Sequence, residues 1–168
     1  MNTTIREESP SDVAVIHAVT AAAFLNAPHA DHREPFIVDA LRKAGVLSVS
    51  LVAEQAGTVV GHVAVSPVSV SDGSAGWYGL GPISVVPELQ RQGIGSLLMK
   101  EALRRLRERS AAGCVLLGDP AYYSRFGFKA EPDVVLPDVP PEYFQALPFG
   151  SSLPRGVVTY HESFSAPC

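Results

Sequence analysis

The sequence predicts a mixed α/β (α+β) fold in which helices pack on the faces of a sheet. Apolar residues recur at helical spacing in three segments, β-rich runs with turn signals occupy residues 47–86, and residues 76–118 form one strand–helix–strand unit. The length of 168 residues is enough for one domain with a sizeable core. We therefore expect a single domain over 1–168, with a core at about 3–130 and a C-terminal extension with a last strand at about 131–168.

The composition argues against several classes of protein. A hydrophobic content of 46% with 18% charged residues is typical of a globular chain rather than a disordered one. Residues 1–12 lack the apolar core of a signal peptide, and no apolar run approaches the ~18 residues of a membrane span. A net charge of −4 and only two cysteines, Cys114 and Cys168, favour a cytoplasmic protein with neither a nucleic-acid nor a membrane partner.

The N-terminal half is predicted to hold a short strand, two helices and a hairpin. The strand lies at residues 3–6, and a first helix runs from Asp12 until Pro28 approaches. The second helix, at 34–45, has proline near its first turn and glycine after its last. The spacing of apolar residues then changes, and two β-rich runs around residues 54–57 predict a hairpin.

The second half alternates strands and helices before a proline-rich segment. A strand at 76–86 contains two glycines and a proline, Gly79, Gly81 and Pro82, so we expect it to bend or bulge. The longest helix, from about Gly93 to Ser110, has an apolar face made by Leu98, Met99, Ala102, Leu103 and Leu106. The remaining predicted elements are a strand at 113–118, a short helix at 120–127, a strand at 128–131, an irregular segment to Pro154 and a last strand at 156–164.

The start of the longest helix contains two glycines, although glycine costs roughly 1 kcal/mol against alanine inside a helix. The first N–H groups of a helix are unpaired and carry a partial positive charge, and residues 89–95 include no Ser, Thr, Asp or Asn to cap them. Since glycine lets a ligand approach the backbone, Gly93 and Gly95 favour an anion site, most often for phosphate. A water-capped helix end, or Gly93 itself as the cap, is the alternative interpretation.

The flanking residues do not fit the common nucleotide motifs. A Walker loop requires Lys and then Ser or Thr after the second glycine, whereas this chain has Ser96 and Leu97. A dinucleotide fingerprint requires a third glycine and an acidic residue on the next strand, but residues 115–117 are apolar.

The segment Gln90-Arg91-Gln92-Gly93-Ile94-Gly95 instead resembles the Gln/Arg-x-x-Gly-x-Gly/Ala pattern of the GCN5-related N-acetyltransferase (GNAT) superfamily. About thirty residues later, Tyr123-Ser124-Arg125-Phe126-Gly127-Phe128 is similar to the Tyr-x-x-x-Gly-Phe segment of that superfamily. The resemblance spans about residues 3–130. The segments 118–123 and 158–161 further resemble the YhbS-like branch of acetyltransferases.

The resemblance implies a GNAT fold, with a mixed, mostly antiparallel central sheet flanked by helices. Its two parallel central strands, at about 77–86 and 113–118, would splay apart and admit the pantetheine arm of acetyl-CoA, the acetyl donor, beside Ile83 and Val85. The pyrophosphate would be held by the backbone N–H groups of Gln90, Arg91, Gln92, Gly93, Ile94, Gly95 and Ser96. No metal is implied.

The implied reaction is acetyl transfer to a primary amine of a small molecule or a peptide, by direct attack in a ternary complex. Tyr123 would act as general acid or donate a hydrogen bond to the CoA thiolate. Residues 77–86 contain no carboxylate, which many relatives use as the base, so His62 and Glu34 are the side-chain candidates, and a water chain fits as well.

The loop between the first two helices would border the acceptor site, where His32 and Glu34 are the predicted substrate contacts. His29 and Asp31 belong to the same cluster, and a plain polar loop is the alternative interpretation. The missing carboxylate also leaves open a non-catalytic acyl-CoA-binding or regulatory module, and the glycines alone an unrelated nucleotide-binding domain. Residues 132–154 would roof the acceptor site or make a dimer contact, and the sequence fits a monomer or a homodimer.

Overall fold

The computed structural model describes residues 2–28 and 30–167, so His29 and Cys168 lie outside the described residues. The strands are β1 (Thr3–Glu7), β2 (Val49–Gln55), β3 (Thr58–Val70), β4 (Trp77–Val85), β5 (Gly113–Leu117), β6 (Val134–Val135), β7 (Phe144–Pro148) and β8 (Gly156–Tyr160). The helices are α1 (Val13–Phe24), α2 (Glu34–Lys43), α3 (Ile94–Glu108) and the short α4 (Pro120–Tyr123).

The main sheet has the strand order β1-β2-β3-β4-β5-β7, and every neighbouring pair in it is antiparallel except the parallel pair β4–β5. β8 pairs with the end of β3 and with β6. The apolar face of α3 packs against residues of β2, β3 and β5, while α1 and α2 pack with Val52 and Ala64 from other positions of β2 and β3. This arrangement confirms the predicted mixed, mostly antiparallel sheet with flanking helices.

Local sequence accounts for the elements that lead to the centre of the sheet. The five predicted apolar residues of α3 are all at most 4% exposed, as an amphipathic helix on a sheet requires. The β2–β3 hairpin closes with Ala56 and Gly57 at φ 49° and 79°, the left-handed pair that a two-residue hairpin turn needs. Gly45, at φ 74°, follows the end of α2 as predicted.

β4 contains a bulge at the glycine–proline step. In its pairing with β3, Val63 lies opposite Ile83 and Val65 lies opposite Leu80. β4 therefore has three residue steps where β3 has two, and the extra residue falls at the Gly81–Pro82 step. The bulge predicted from these residues is present.

The parallel pairing of β4 with β5 is short. It covers Trp77 with Gly113, Tyr78 with Cys114 and Gly79 with Val115, whereas β4 continues to Val85 and β5 to Leu117. The two strands therefore separate after Gly79, as the resemblance implied, and one edge of β4 is left open from its bulge onward.

The C-terminal region departs from the prediction. The segment to Pro154 is not irregular, because β7 pairs with β5 over five residues and β6 pairs with β8. Phe144, Gln145 and Ala146 are all at most 3% exposed, so β7 lacks the alternation that marks a half-buried strand, and prolines surround it. The strand predicted at 128–131 is wrong, since only Lys129 makes a single bridge there, to Ala146.

Two further boundaries differ from the prediction. α1 ends at Phe24 rather than at residue 27, and β8 ends at Tyr160. A 3-10 turn over Glu162–Ser165 replaces the end of the predicted last strand and packs on α2. Within the described part of the chain, no helix combines the length and the apolar character that crossing a bilayer requires.

Candidate active site

A cleft of about 640 Å³ opens where β4 and β5 separate. It is bounded by the far end of β4, the start of α3 and the helix α4. The residues that line it are Ile83, Ser84, Val85, Leu89, Gln90, Arg91, Gly93, Gly95, Ser96, Tyr122, Tyr123 and Arg125.

The start of α3 presents bare backbone to this cleft. Gly93 is the N-cap residue with φ 87°, and no side chain caps the helix. The N–H of Gln90 donates to the carbonyl of Pro87 at 3.4 Å, and the first helical bond runs from Leu97 to Gly93 at 3.1 Å. For the N–H groups of residues 91–96, no partner outside the helix is found among the described residues. Gly93 thus occupies the N-cap position, as the alternative interpretation had it, but it offers no side chain to these N–H groups, which are available to an anion.

Arg91 has an unusual backbone conformation for a residue with a side chain, at φ 64°. Left-handed geometry costs such a residue roughly 1–2 kcal/mol, and strain of this kind concentrates at binding sites. Together with Gly93 it turns the chain sharply into α3, which places the first N–H groups of the helix beside the open edge of β4.

The open edge of β4 exposes backbone groups at alternate residues. The N–H of Val86 donates to the carbonyl of Val60 on β3 at 2.9 Å. Since antiparallel ladders alternate, Ser84 also faces β3, and the polar groups of Ile83 and Val85 face the side from which β5 has separated. The side-chain amide of Gln90 donates to the carbonyl of Val85 at 2.9 Å, which ties the α3 loop to this edge.

Tyr123 lies at the other side of the cleft, at the end of α4. The carboxylate of Asp119 caps that helix by accepting from the N–H of Ala121 at 2.9 Å. The Tyr123 ring packs at 76° to the buried Phe128 ring, with centroids 6.4 Å apart. Burial, with smaller contributions from Tyr122 and Asp119, raises the pKa of Tyr123 to about 12. The phenol is therefore a proton-bearing donor throughout the neutral range.

Tyr122 and Arg125 are cleft residues that sequence reasoning did not assign. The hydroxyl of Tyr122 lies 3.2 Å from Ser96 Oγ, so it links α4 to the first turn of α3. The Arg125 guanidinium lies 4.4 Å from the centroid of the Tyr122 ring. The signal for Arg125 was its position three residues after Tyr122 in a short helix, where side chains share a face.

The charge of the cleft differs from that of the chain. Arg91 and Arg125 both line it, and no Asp or Glu is among the lining residues that the structure describes. The protein as a whole has a net charge of −4. The cleft is thus a local cationic region that suits an anionic ligand.

A parallel pair of strands that separate, an uncapped glycine-containing helix start and a tyrosine on a short helix are together the arrangement that the resemblance to the acetyltransferase superfamily implied. The model of the acetyltransferase (GNAT) family matches residues 14–128, and the chain belongs to this family. It is 40% identical to the uncharacterized N-acetyltransferase YhbS of Escherichia coli (strain K12). The 126 aligned residues cover 74% of this chain and 72% of that protein.

Solved structures give the same result over nearly the whole chain. A GNAT family acetyltransferase from Brucella melitensis in complex with acetyl-CoA is 50% identical, with a TM-score of 0.87 over 97% of this chain and 98% of that one. YhbS from Escherichia coli in complex with CoA is 34% identical, with a TM-score of 0.88 over 98% of this chain and 93% of that one. The predicted family, fold class and N-acetyltransferase class are confirmed.

The cleft brings together most of the predicted cofactor residues and Tyr123. Seven of the nine predicted cofactor residues line it, namely Ile83, Val85, Gln90, Arg91, Gly93, Gly95 and Ser96. The other two, Gln92 and Ile94, do not line the cleft: Gln92 is exposed, and the side chain of Ile94 is buried in the core. These two residues could contact the coenzyme only through their backbone N–H groups. Their assigned roles stay predictions.

His62 lies within β3, opposite Ser84 in the ladder with β4, and is not itself among the residues that line the cleft. Its ring is fully buried, with Nε2 2.8 Å from Ser50 Oγ and with Nδ1 lacking a hydrogen-bond partner among the described residues. Ser50 in turn donates to Glu8, which Arg42 holds through two hydrogen bonds of 2.8 Å. Burial lowers the pKa of His62 to about 4. These contacts describe a neutral, buried histidine, and its assignment as the base stays a prediction.

Glu34 and His32 lie at the entry to α2. Glu34 is the first residue of that helix, and its Oε2 accepts from the N–H of Asp31 at 3.3 Å while Oε1 is buried without a hydrogen-bond partner among the described residues. His32 is exposed, with a left-handed φ of 64°. Neither residue lines the cleft, so their assignment as base and substrate contacts stays a prediction.

Cys114 is fully buried in the core between the sheet and α3. Burial raises the pKa of its thiol, so the thiol is not a reactive thiolate.

The pH dependence of the free energy of unfolding tests whether His62 is neutral in the folded protein. The unfolded chain takes up a proton near pH 6.5, while the folded histidine does so only near pH 4. The folded state therefore loses stability as the pH falls between these values, by up to about 1.4 kcal/mol per pH unit. His62→Gln preserves a hydrogen-bonding group but removes the titration, so urea unfolding between pH 7 and 5 should give a flatter dependence in the variant.

The titration of Glu8 falls below the pH range of this measurement. Burial opposes its ionisation, but hydrogen bonds from Arg42 and Ser50 outweigh burial and lower the pKa of Glu8 below 4.5. The stability that Glu8 contributes is therefore lost only below the pH range measured. Equal slopes in the wild type and in His62→Gln would show that His62 is not the neutral buried group described here.

Proposed function

We propose that the protein is an acetyl-CoA-dependent N-acetyltransferase that acetylates a primary amine of a small molecule or a peptide by direct attack in a ternary complex. The observation that carries this proposal is that the uncapped start of α3, the open edge of β4 and Tyr123 line one cleft. Two relatives in which acetyl-CoA or CoA is bound share this fold over almost the full chain, which supports acetyl-CoA as the donor.

The backbone at the start of α3 would hold the pyrophosphate of the coenzyme. The N–H groups of residues 91–96 supply hydrogen-bond donors, and the helix dipole adds roughly half a positive charge there. Arg91 and Arg125 add two guanidinium groups without a competing carboxylate in the lining. Because the N–H of Gln90 is already used by Pro87, this residue would contribute through its side chain, which holds the edge of β4.

The pantetheine arm would lie along the open edge of β4. Its amides can exchange hydrogen bonds with the backbone groups of Ile83 and Val85, since those groups face away from β3. The arm thus takes the place that β5 would have if the two strands stayed paired. This position brings the thioester toward the bulge and toward Tyr123.

Direct attack by the amine agrees with the available nucleophiles. Cys114, the cysteine among the described residues, is fully buried and its thiol pKa is raised. It is therefore not a thiolate that could carry the acetyl group. The amine nitrogen would form a bond to the thioester carbonyl carbon, and the bond from that carbon to sulfur would break. CoA leaves as a thiolate whose thiol has a pKa of about 8.5.

Tyr123 would stabilise the leaving sulfur by donating a hydrogen bond. With a pKa of about 12, complete proton transfer to a thiolate of pKa ~8.5 is unfavourable by roughly 5 kcal/mol, whereas a hydrogen bond to the developing charge is favourable. A lysine-like amine, with a pKa of ~10.4, must lose its proton at a cost of roughly 4.6 kcal/mol at pH 7. Since the described lining holds no carboxylate, water is the proton acceptor that fits best.

An acceptor screen tests the function. Purified protein is incubated with acetyl-CoA and a panel of polyamines, aminoglycosides, amino acids and lysine-containing peptides, and release of free thiol is measured. We expect amine-dependent release for at least one class. Coenzyme binding by calorimetry without thiol release for any amine would favour the non-catalytic acyl-CoA-binding module, and the absence of CoA binding would refute both.

Replacing the Tyr123 hydroxyl tests its role in this reaction. Tyr123→Phe should lower kcat by roughly 10–100-fold with little change in the KM for acetyl-CoA, because the hydrogen bond forms mainly as the sulfur leaves. Tyr78→Phe, at a half-buried tyrosine outside the cleft lining, is the matched control and should retain the wild-type kcat. Unchanged turnover in Tyr123→Phe would remove the assigned role.

Three glycine variants test the α3 amides as the pyrophosphate site. Gly93→Ala forces a left-handed φ of 87° on alanine at a cost of about 1–2 kcal/mol, which the loop relieves by moving these amides. We expect CoA affinity, measured by calorimetry, to fall at least about tenfold.

The two controls separate strain from binding. Gly45→Ala imposes similar strain at φ 74° in open space and should cost stability without affecting affinity. Gly57→Ala, at φ 79° and also in open space, lies in the β2–β3 hairpin and should likewise cost stability without affecting affinity. Wild-type affinity in Gly93→Ala would place the pyrophosphate elsewhere.

A further inference from the structure

Gln145 is a polar side chain in a place where an apolar one would be expected. It lies on β7 and is 1% exposed, and its Nε2 donates to the carbonyl oxygen of Gly118 at 3.0 Å. The opposite orientation of the amide would set two oxygen acceptors against each other, so the donor must face Gly118. A buried amide that makes one such contact to a single backbone carbonyl implies that the position of that carbonyl matters.

Gly118 directly follows β5 and supports the ring of Tyr123. A Cβ added to Gly118 would lie 2.2 Å from Cε2 and 2.8 Å from Cδ2 of that ring, so the tyrosine rests on the bare Cα. No side chain other than hydrogen leaves room for this contact. The plane of the Tyr123 ring therefore depends on where the Gly118 backbone lies.

Both polar groups of Gly118 are held by the C-terminal segment. Its N–H donates to the carbonyl of Tyr143 at 3.0 Å, and its carbonyl accepts from the Gln145 side chain. The last ladder pair of β5 and β7 is Leu117 with Phe144, so Gly118 lies one residue beyond the strand pairing. The Gln145 amide supplies the donor that a backbone N–H would supply if β5 continued.

We propose that Gln145 is a positioning residue for Tyr123, acting through the backbone of Gly118. This inference rests on the proposed role of Tyr123 in acetyl transfer. Gln145 lies outside residues 14–128, the part of the chain that the family model matches, so the segment after the motifs takes part in aligning the phenol with the cleft. Aromatic contacts with Tyr122 and Phe128 hold the ring from its other sides.

A double-mutant cycle tests this coupling. Gln145→Met has a similar length but no donor, and it should lower kcat by about 3–30-fold while the KM and Kd for acetyl-CoA change by less than about threefold. In the Tyr123→Phe background the same substitution should lower kcat by no more than about twofold, since the hydroxyl that it aligns is already absent. Equal losses in the two backgrounds, or a parallel loss of coenzyme affinity, would overturn the proposal.

A second readout does not depend on turnover, so failure of the proposed function is distinguishable from failure of this inference. With tyrosine labelled by carbon-13 at Cζ, the Tyr123 resonance is identified by its loss in Tyr123→Phe. Gln145→Met should shift or broaden this resonance and lower the pKa of the phenol from about 12 toward about 10 as the ring gains access to water. An unchanged resonance and pKa would overturn the positioning role whether or not an amine is acetylated.

Two further variants guard against a general effect of the substitution. Gln55→Met removes a comparable side-chain hydrogen bond, from Nε2 to Thr3 Oγ1 at 2.9 Å, and should leave the Tyr123 resonance and kcat unchanged. If Gln145→Met does not fold, Gly118→Ala displaces the ring directly through its new Cβ and should reproduce the altered resonance and the non-additive loss of kcat. Wild-type behaviour in Gly118→Ala would refute the inference.

Discussion

The early end of pairing between β4 and β5 is the constraint on which the site depends. Three residue pairs hold the two strands together, after which the bulge at the Gly81–Pro82 step takes β4 away from β5. A sheet edge in the middle of a protein carries unpaired backbone groups, which are costly unless a partner or solvent satisfies them. The same separation makes room for α4 and for the start of α3, so the edge, the helix start and the tyrosine meet because two strands part.

The chemistry of the cleft comes from backbone groups and from the local environment more than from charged catalytic side chains. Its cationic character arises from a helix start and two arginines in a chain whose net charge is negative. The phenol of Tyr123 is kept protonated by burial, and the thiol of Cys114 is kept unreactive by the same cause. Burial therefore keeps Tyr123 able to donate a proton and prevents Cys114 from acting as a nucleophile.

The parts of the site that were predictable from the sequence are those that local geometry dictates. Left-handed Gly93, the bulge near Gly81 and the apolar face of α3 each leave a pattern within a few neighbouring residues. β7 left none, because Gln145 and its neighbours are buried on both faces and lie among prolines. The surroundings of His62 were not predictable either, since its network joins Ser50 on β2, Arg42 on α2 and Glu8 just after β1, which lie far apart in the chain.

The contact of the Tyr123 ring with Gly118 links two portions of the chain, the motif-bearing part and the C-terminal segment with β7. A comparison of motifs alone would treat these portions as independent. The tyrosine comes from the motif-bearing portion, whereas the groups that fix its support come from β7 and the turn before it. A chimaera that exchanges the C-terminal region with that of a relative, in order to alter acceptor choice, would also exchange the groups that hold Gly118 beneath the Tyr123 ring. Under the proposed role of Gln145, a graft should transfer Gly118, β7 and α4 together.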